Sequence, residues 1–159
     1  MVSLRVMDQN ERLAAAAGLG FRLDRATENL PQATDGALFT ITGGRVLLLL
    51  ILGEVTTVIE TLANATKLKF NPTATGADQD LCATLDITAD AVGELYTISG
   101  GVGDALRSDL LIGAGNLVND PLILSEGDIE LDCAGSATGQ VAWSIWYLPL
   151  DRGATVVVS

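Results

Sequence analysis

The feature that most constrains this chain is how often it is interrupted. From Ala37 onward, short apolar and β-branched runs alternate with glycine, proline and Asn-Asp breaks. Ala37–Thr42 is followed by Gly43-Gly44 and then Arg45–Leu52, a pattern that predicts a hairpin, because paired glycines between strand-like runs supply the backbone freedom of a tight turn. Val55–Leu62 is rich in β-branched residues, and Thr66–Asn71 alternates Lys67, Leu68, Lys69 and Phe70 before Pro72. Leu81–Thr88 and Glu94–Ser99 follow. Residues 100–120 form a glycine-rich connection carrying the apolar patch Leu110–Ile112, after which come Leu122–Leu124, Asp128–Cys133, Gln140–Leu148 and Ala154–Val158. About nine to eleven short strands at spacings of roughly 8–12 residues predict an all-β domain, a β-sandwich or jelly roll.

The longest apolar run is Val46–Leu52, seven residues. A membrane helix needs about 20, so the run predicts a buried strand and no membrane partner. No secretory leader is expected from the first residues, which lack a sustained apolar stretch. The 159 residues hold 20 Asp and Glu against 9 Lys and Arg, a net charge of −11, which opposes nucleic-acid binding because phosphate contacts need a cationic surface. There is no histidine, which removes Ser-His-Asp and Cys-His catalysis and every His-containing zinc site.

Charge is distributed unevenly. Residues 1–25 hold Arg5, Arg12, Arg22 and Arg25 against Asp8, Glu11 and Asp24, a net +1, and the remaining residues carry −12. Asn10–Gly18 has the cap, alanines and terminal glycine of a short helix. Gly20–Gln32 shows no clear period. Residues 1–35 are therefore expected as an arm or peripheral segment and 36–159 as the β domain, with a first strand and helix packed on that domain as the equal alternative.

Chemistry-bearing constellations are sparse. Asp128, Glu130 and Asp132 alternate along one strand and share a face, where a cation such as Ca²⁺ could bridge them if loop oxygens completed the shell. The pattern lacks the loop of a dedicated calcium site, and a solvated outer face is the preferred reading. Asp78, Asp80 and Asp86 are read the same way. Gly101-Val102-Gly103-Asp104 has Leu106 where a dinucleotide fingerprint needs a third glycine, so it is read as a loop. Lys67 and Lys69 point outward from their strand and make poor bases. Paired carboxylates could serve glycoside hydrolysis, but an aromatic-walled sugar cleft is not apparent. No enzyme and no cofactor are expected.

Successive strand residues face opposite sides. By that parity Cys82 falls on the polar side of its strand and Cys133 on the core side, so the two are expected as free thiols, as suits synthesis in a reducing cytoplasm. Trp143 and Trp146 lie three apart in one strand and so face opposite ways. One ring is expected in the core and the other could reach a subunit or partner surface, with both in the core as the preferred reading.

Residues Gly139 to Ala154, with Trp143, Trp146 and the run Tyr147-Leu148-Pro149-Leu150-Asp151-Arg152-Gly153-Ala154, resemble the closing strand of small virion proteins encoded among tailed-bacteriophage head genes. Gly53–Thr57 with Thr66–Leu68, and Asp80–Asp86, resemble the same group. That resemblance implies a virion structural protein of the capsid cement (decoration) type, made in the host cytoplasm and carried on the capsid surface. Its partner would be the major capsid protein, bound across neighbouring subunits, and a homotrimer would match a shell's local three-fold positions. The interface residues expected are Arg5, Arg12, Arg22 and Arg25, since arginine suits interfacial ion pairs, together with Trp146. A phage tail or baseplate structural protein and a carbohydrate-binding β-sandwich are the alternatives.

Overall fold

The structure is a computed structural model that describes Gly18 and residues 20–108 and 120–159, with Arg107 and Ser108 described in backbone only. The helix expected over 10–18, Arg5, Arg12 and the Leu110–Ile112 patch lie outside the described residues, apart from Gly18 itself.

Twelve strands and no helix are found among the described residues: β1 Phe21–Asn29, β2 Asp35–Thr42, β3 Val46–Thr57, β4 Ala65–Pro72, β5 Gln79–Asp80, β6 Leu85–Asp86, β7 Leu95–Thr97, β8 Arg107–Ser108, β9 Leu122–Leu124, β10 Gly127–Cys133, β11 Gln140–Pro149 and β12 Thr155–Val158. They form two six-stranded sheets packed face to face, a β-sandwich. Sheet I runs β1-β11-β3-β7-β8, with β9 also on β3; sheet II runs β12-β2-β10-β4-β5, with β6 also on β4. All these strand pairings are antiparallel.

Alternation explains the core. In β11, Val141, Trp143, Ile145 and Tyr147 are buried while the residues between them are half-exposed. In β10, Ile129, Leu131 and Cys133 point inward from the opposite sheet. Trp143 is 2% exposed, and its ring lies on Gly53 of β3, its direct cross-strand partner. A Cβ at Gly53 would stand 2.8 Å from two carbons of the indole. Tyr96 of β7 stacks on the same indole at 6.4 Å between ring centres and donates its hydroxyl to Asp90 at 2.6 Å. The glycine is therefore a slot for the largest ring of the core. For that reason Gly53 does not end a strand: the two runs expected on either side of it are one continuous β3.

Three further expectations are corrected. Gly43-Gly44 does not close a hairpin. β2 belongs to sheet II and β3 to sheet I, so the two glycines carry the chain from one sheet to the other. Gly43 has φ of 75°, and a Cβ there would meet the Gly153 carbonyl oxygen at 2.4 Å, so the crossover seats against the β11–β12 turn, where Arg45 grips Asp151 through two bonds of 2.8 Å. Next, for residues 20–35 the arm reading gives way to its equal alternative, a first strand packed on the domain: β1 pairs with β11 from Phe21↔Tyr147 to Asn29↔Gln140 and forms an edge of sheet I. Its inward residues Phe21 and Leu23 pack on the core, Phe21 against Tyr147 at 5.9 Å. The described part of 1–35 is thus built into the sandwich.

Finally, Cys82 is not on a polar face but 1% exposed. The ladder breaks between β5 and β6, and Leu81 and Cys82 both turn inward. The Leu81 N–H donates to the Leu68 carbonyl at 2.9 Å, and the Leu68 N–H donates to Cys82 Sγ at 3.3 Å, so the thiol closes a gap in the edge of β4. Both cysteines are free and buried.

Candidate functional site: the outer faces of the two sheets

Sheet I turns an apolar face outward. β3 carries Leu47, Leu50 and Leu52 on that side. β11 places Leu148, Trp146 and Ser144 directly opposite them, through the pairs Leu47↔Leu148, Leu50↔Trp146 and Leu52↔Ser144. A bulge between Trp146 and Tyr147 adds Leu49 to the half-buried set. On the far side of β3, Ile123 of β9 pairs with Leu47 and is 65% exposed. These residues are half-buried or exposed on the side away from the core. Contiguous apolar surface of this kind is where soluble chains commonly make contacts.

A cation borders it. Arg22 of β1 is the cross-strand partner of Trp146 and holds its guanidinium 5.1 Å from the ring centre, a cation–π geometry. Its Nε also donates to Asp24 at 2.8 Å, with the Arg22 side chain 57% exposed. Asp24 in turn accepts from Ser144 Oγ at 2.6 Å. The patch therefore has an aromatic centre, aliphatic neighbours and a hydrogen-bonded polar rim along β1.

Of the residues expected at an interface, the structure brings Arg22 and Trp146 together on this face. Arg25 goes elsewhere. It points inward from β1, its side chain is 9% exposed, and its guanidinium donates to Glu28 at 2.7 Å and to the Ala37 carbonyl at 3.4 Å. It lines a cavity of about 220 Å³ at the mouth of the sandwich, with Leu30, Pro31, Leu38, Val141 and Trp143. Glu28 on the same wall pairs with its guanidinium. The residues that sequence reasoning missed are Leu47, Leu50, Leu52 and Ile123; the seven-residue apolar run signalled the three leucines but reads equally well as a strand buried on both sides, and Ile123 joins the patch only through the pairing of β9 with β3.

Sheet II turns a charged face outward. Asp128, Glu130 and Asp132 do share it, and they stand across from Asn71, Lys69 and Lys67 of β4. Lys67 reaches Asp80 at 2.8 Å, and Lys69 reaches Asp35 at 2.7 Å and Asp78 at 3.0 Å. The ammonium of Lys69 holds the Asp35 carboxyl below the usual carboxylate range, and the two carboxylates hold Lys69 well above its own. Glu130 departs from the solvated reading: it is 9% exposed, packed between β2 and β4. Burial pushes its carboxyl upward, against the Asn71 amide that donates to Oε1 at 3.3 Å.

No protein-family model matches this chain, and neither a curated protein nor a solved structure does. The fold defines a two-sheet antiparallel β-sandwich, and any function has to be argued from its surfaces.

Proposed function

We propose that this chain is a non-enzymatic virion structural protein, a capsid cement protein that binds across neighbouring major-capsid subunits and adds buried area over their seams. The observation that carries the reading is the apolar outer face of sheet I around Leu50 and Trp146, set on a chain of net charge −11. A cementing module needs an adhesive face and a body that repels its own copies, and this combination supplies both. The resemblance of residues 139–154 to phage head proteins supports the same reading, because that segment supplies Trp146 and Leu148 to the face. Arg22, stacked on Trp146, adds an orienting charge at its border. Self-association into a trimer on the shell's three-fold positions belongs to the same proposal.

The test is reconstitution. Shells of the parent particle lacking this protein are incubated with the wild-type chain or with Leu50→Asp/Trp146→Asp, and bound protein is measured by sedimentation. Wild-type binding at fixed stoichiometry, reduced at least tenfold in the double variant while circular dichroism stays that of a β protein, is the expected result. Equal binding by both, or none by the wild type, overturns the assignment.

A further inference from the structure

The carboxylates of Asp35, Asp78 and Glu130 come from three separate places, the start of β2, the β4–β5 connection and the middle of β10. Each offers one oxygen, and the three oxygens lie within 4.8 Å of one another. Ca²⁺ binds oxygen at about 2.3–2.6 Å, so ligands on opposite sides of it stand roughly 4.6–5.2 Å apart. Oxygens no more than 4.8 Å apart are within the span of one calcium ion. Mg²⁺ demands near-octahedral geometry and gives up its waters reluctantly, so three carboxylates carried by separate chain segments suit it less.

Proximity of acidic groups is not by itself a site; Glu130 supplies the second observation. Nine-tenths buried within this cluster, it leaves its Oε2 without a hydrogen-bond partner. A buried carboxylate oxygen with no donor is costly, and the ordinary remedy is a donor or a cation. The resident counter-ion, Lys69, contacts Asp35 and Asp78. The three carboxylates and Lys69 carry −2 between them, and the Asp132 carboxyl, hydrogen-bonded to Asp35, stands beside them, so a divalent ion offsets a local excess of negative charge.

We propose that Asp35, Asp78 and Glu130 form a calcium site on the outer face of sheet II, in which the ion takes up the free Glu130 oxygen and the Lys69 ammonium withdraws from the two aspartates toward solvent. Binding there ties together three chain segments that sheet hydrogen bonding joins only in part, so it raises the stability of the whole sandwich. The site lies on the opposite side of the molecule from the apolar face and does not depend on what that face adheres to.

The experiment is thermal unfolding of the full chain after chelator treatment, titrated with CaCl₂, with MgCl₂ and with NaCl at matched ionic strength, and paired with calorimetric titration of Ca²⁺. Expected for the wild type is a saturable rise of several degrees with Ca²⁺, a smaller one with Mg²⁺, and one heat-producing site. Glu130→Gln removes the unpaired charge at constant shape. It should melt no lower than the wild type in chelator, so loss of folding cannot explain a lost response, and it should bind Ca²⁺ at least tenfold more weakly. Lys69→Gln should bind more tightly than the wild type. A wild-type response no larger than that to matched NaCl, or a Glu130→Gln response equal to the wild type, overturns the proposal.

Discussion

Leu50 and Glu130 occupy matching positions in the two halves of this molecule. Each lies in a strand flanked on both sides, β3 between β11 and β7 and β10 between β2 and β4, and each points away from the shared core. Around Leu50 the cross-strand neighbours are aliphatic and aromatic. Around Glu130 they are Lys69, Asn71 and, beyond β4, a row of aspartates. The first face is left with apolar surface that water covers poorly, whereas the second is occupied with its own internal charge pairing. In this two-layer sandwich one sheet thus turns apolar surface outward and the other charge, with a common core between them.

The largest expected effect separates the inside of sheet I from its outside. Trp143→Ala should lower unfolding free energy by about 3–5 kcal/mol, because it empties the slot between Gly53 and Tyr96. Trp146→Ala, three residues away on the outer side, should cost under about 1 kcal/mol while still weakening adhesion. Denaturant unfolding of both variants checks this, and equal losses would erase the distinction between core and contact face. Next comes Gly53→Ala, expected to cost about 1–3 kcal/mol, since the added methyl meets the indole at 2.8 Å and the ring has to move.

A chemical probe sharpens the comparison on the side of sheet II. Burial pushes the Cys82 thiol up to about 11, and Cys133 is shifted the same way by the same cause. Both should resist a thiol reagent at pH 8 in the native protein and react together on unfolding, as followed by absorbance of the released reporter. Rapid native labelling of Cys82 would mean that the β5–β6 gap opens and that sheet II is the looser half.

The smallest effect belongs to the exposed pair Arg45–Asp151 at the crossover. The Arg45 hydrogen bonds hold the Asp151 carboxyl well below its usual value. A carboxyl lowered by folding contributes stability that is present above the unfolded pKa, about 3.9 for an aspartate, and is lost as pH falls through the folded one. Asp151→Asn should therefore lower the melting temperature slightly at pH 7 and leave it unchanged at the acid end, with added salt shrinking the difference.

Much of this architecture can be read in the residues, because alternation is local. Leu122–Leu124, Asp128–Cys133, Gln140–Leu148 and the closing valines reveal their strands through period-2 burial, and the opposite orientations of Trp143 and Trp146 follow from the same rule. Sheet membership is another matter. A glycine pair permits a sharp change of direction but does not say whether the next strand returns to its own sheet or crosses to the other, and at Gly43-Gly44 it crosses. Cys82 escaped parity because the strand ends two residues before it, at a break set by β4 and not by the local pattern. Glu130 looked solvated because burial of an outward residue depends on neighbours in β2 and β4 that are distant in the chain. For the candidate site, Trp146 and Arg22 were legible as types of residue. Their stacking, and the leucines completing the patch, required the register of β1, β11 and β3.

Among the described residues, sheet II finishes on one flank in a strand of two residues, β5. A stub of that length offers an incoming chain too few free backbone groups to extend the ladder. On the opposite flank, β1 is interrupted by a bulge after Arg25, and β12 is only four residues long. Among the described residues, the borders formed by β5, β1 and β12 therefore offer copies set shoulder to shoulder no long, regular ladder to extend, which disfavours zipping into fibres along them.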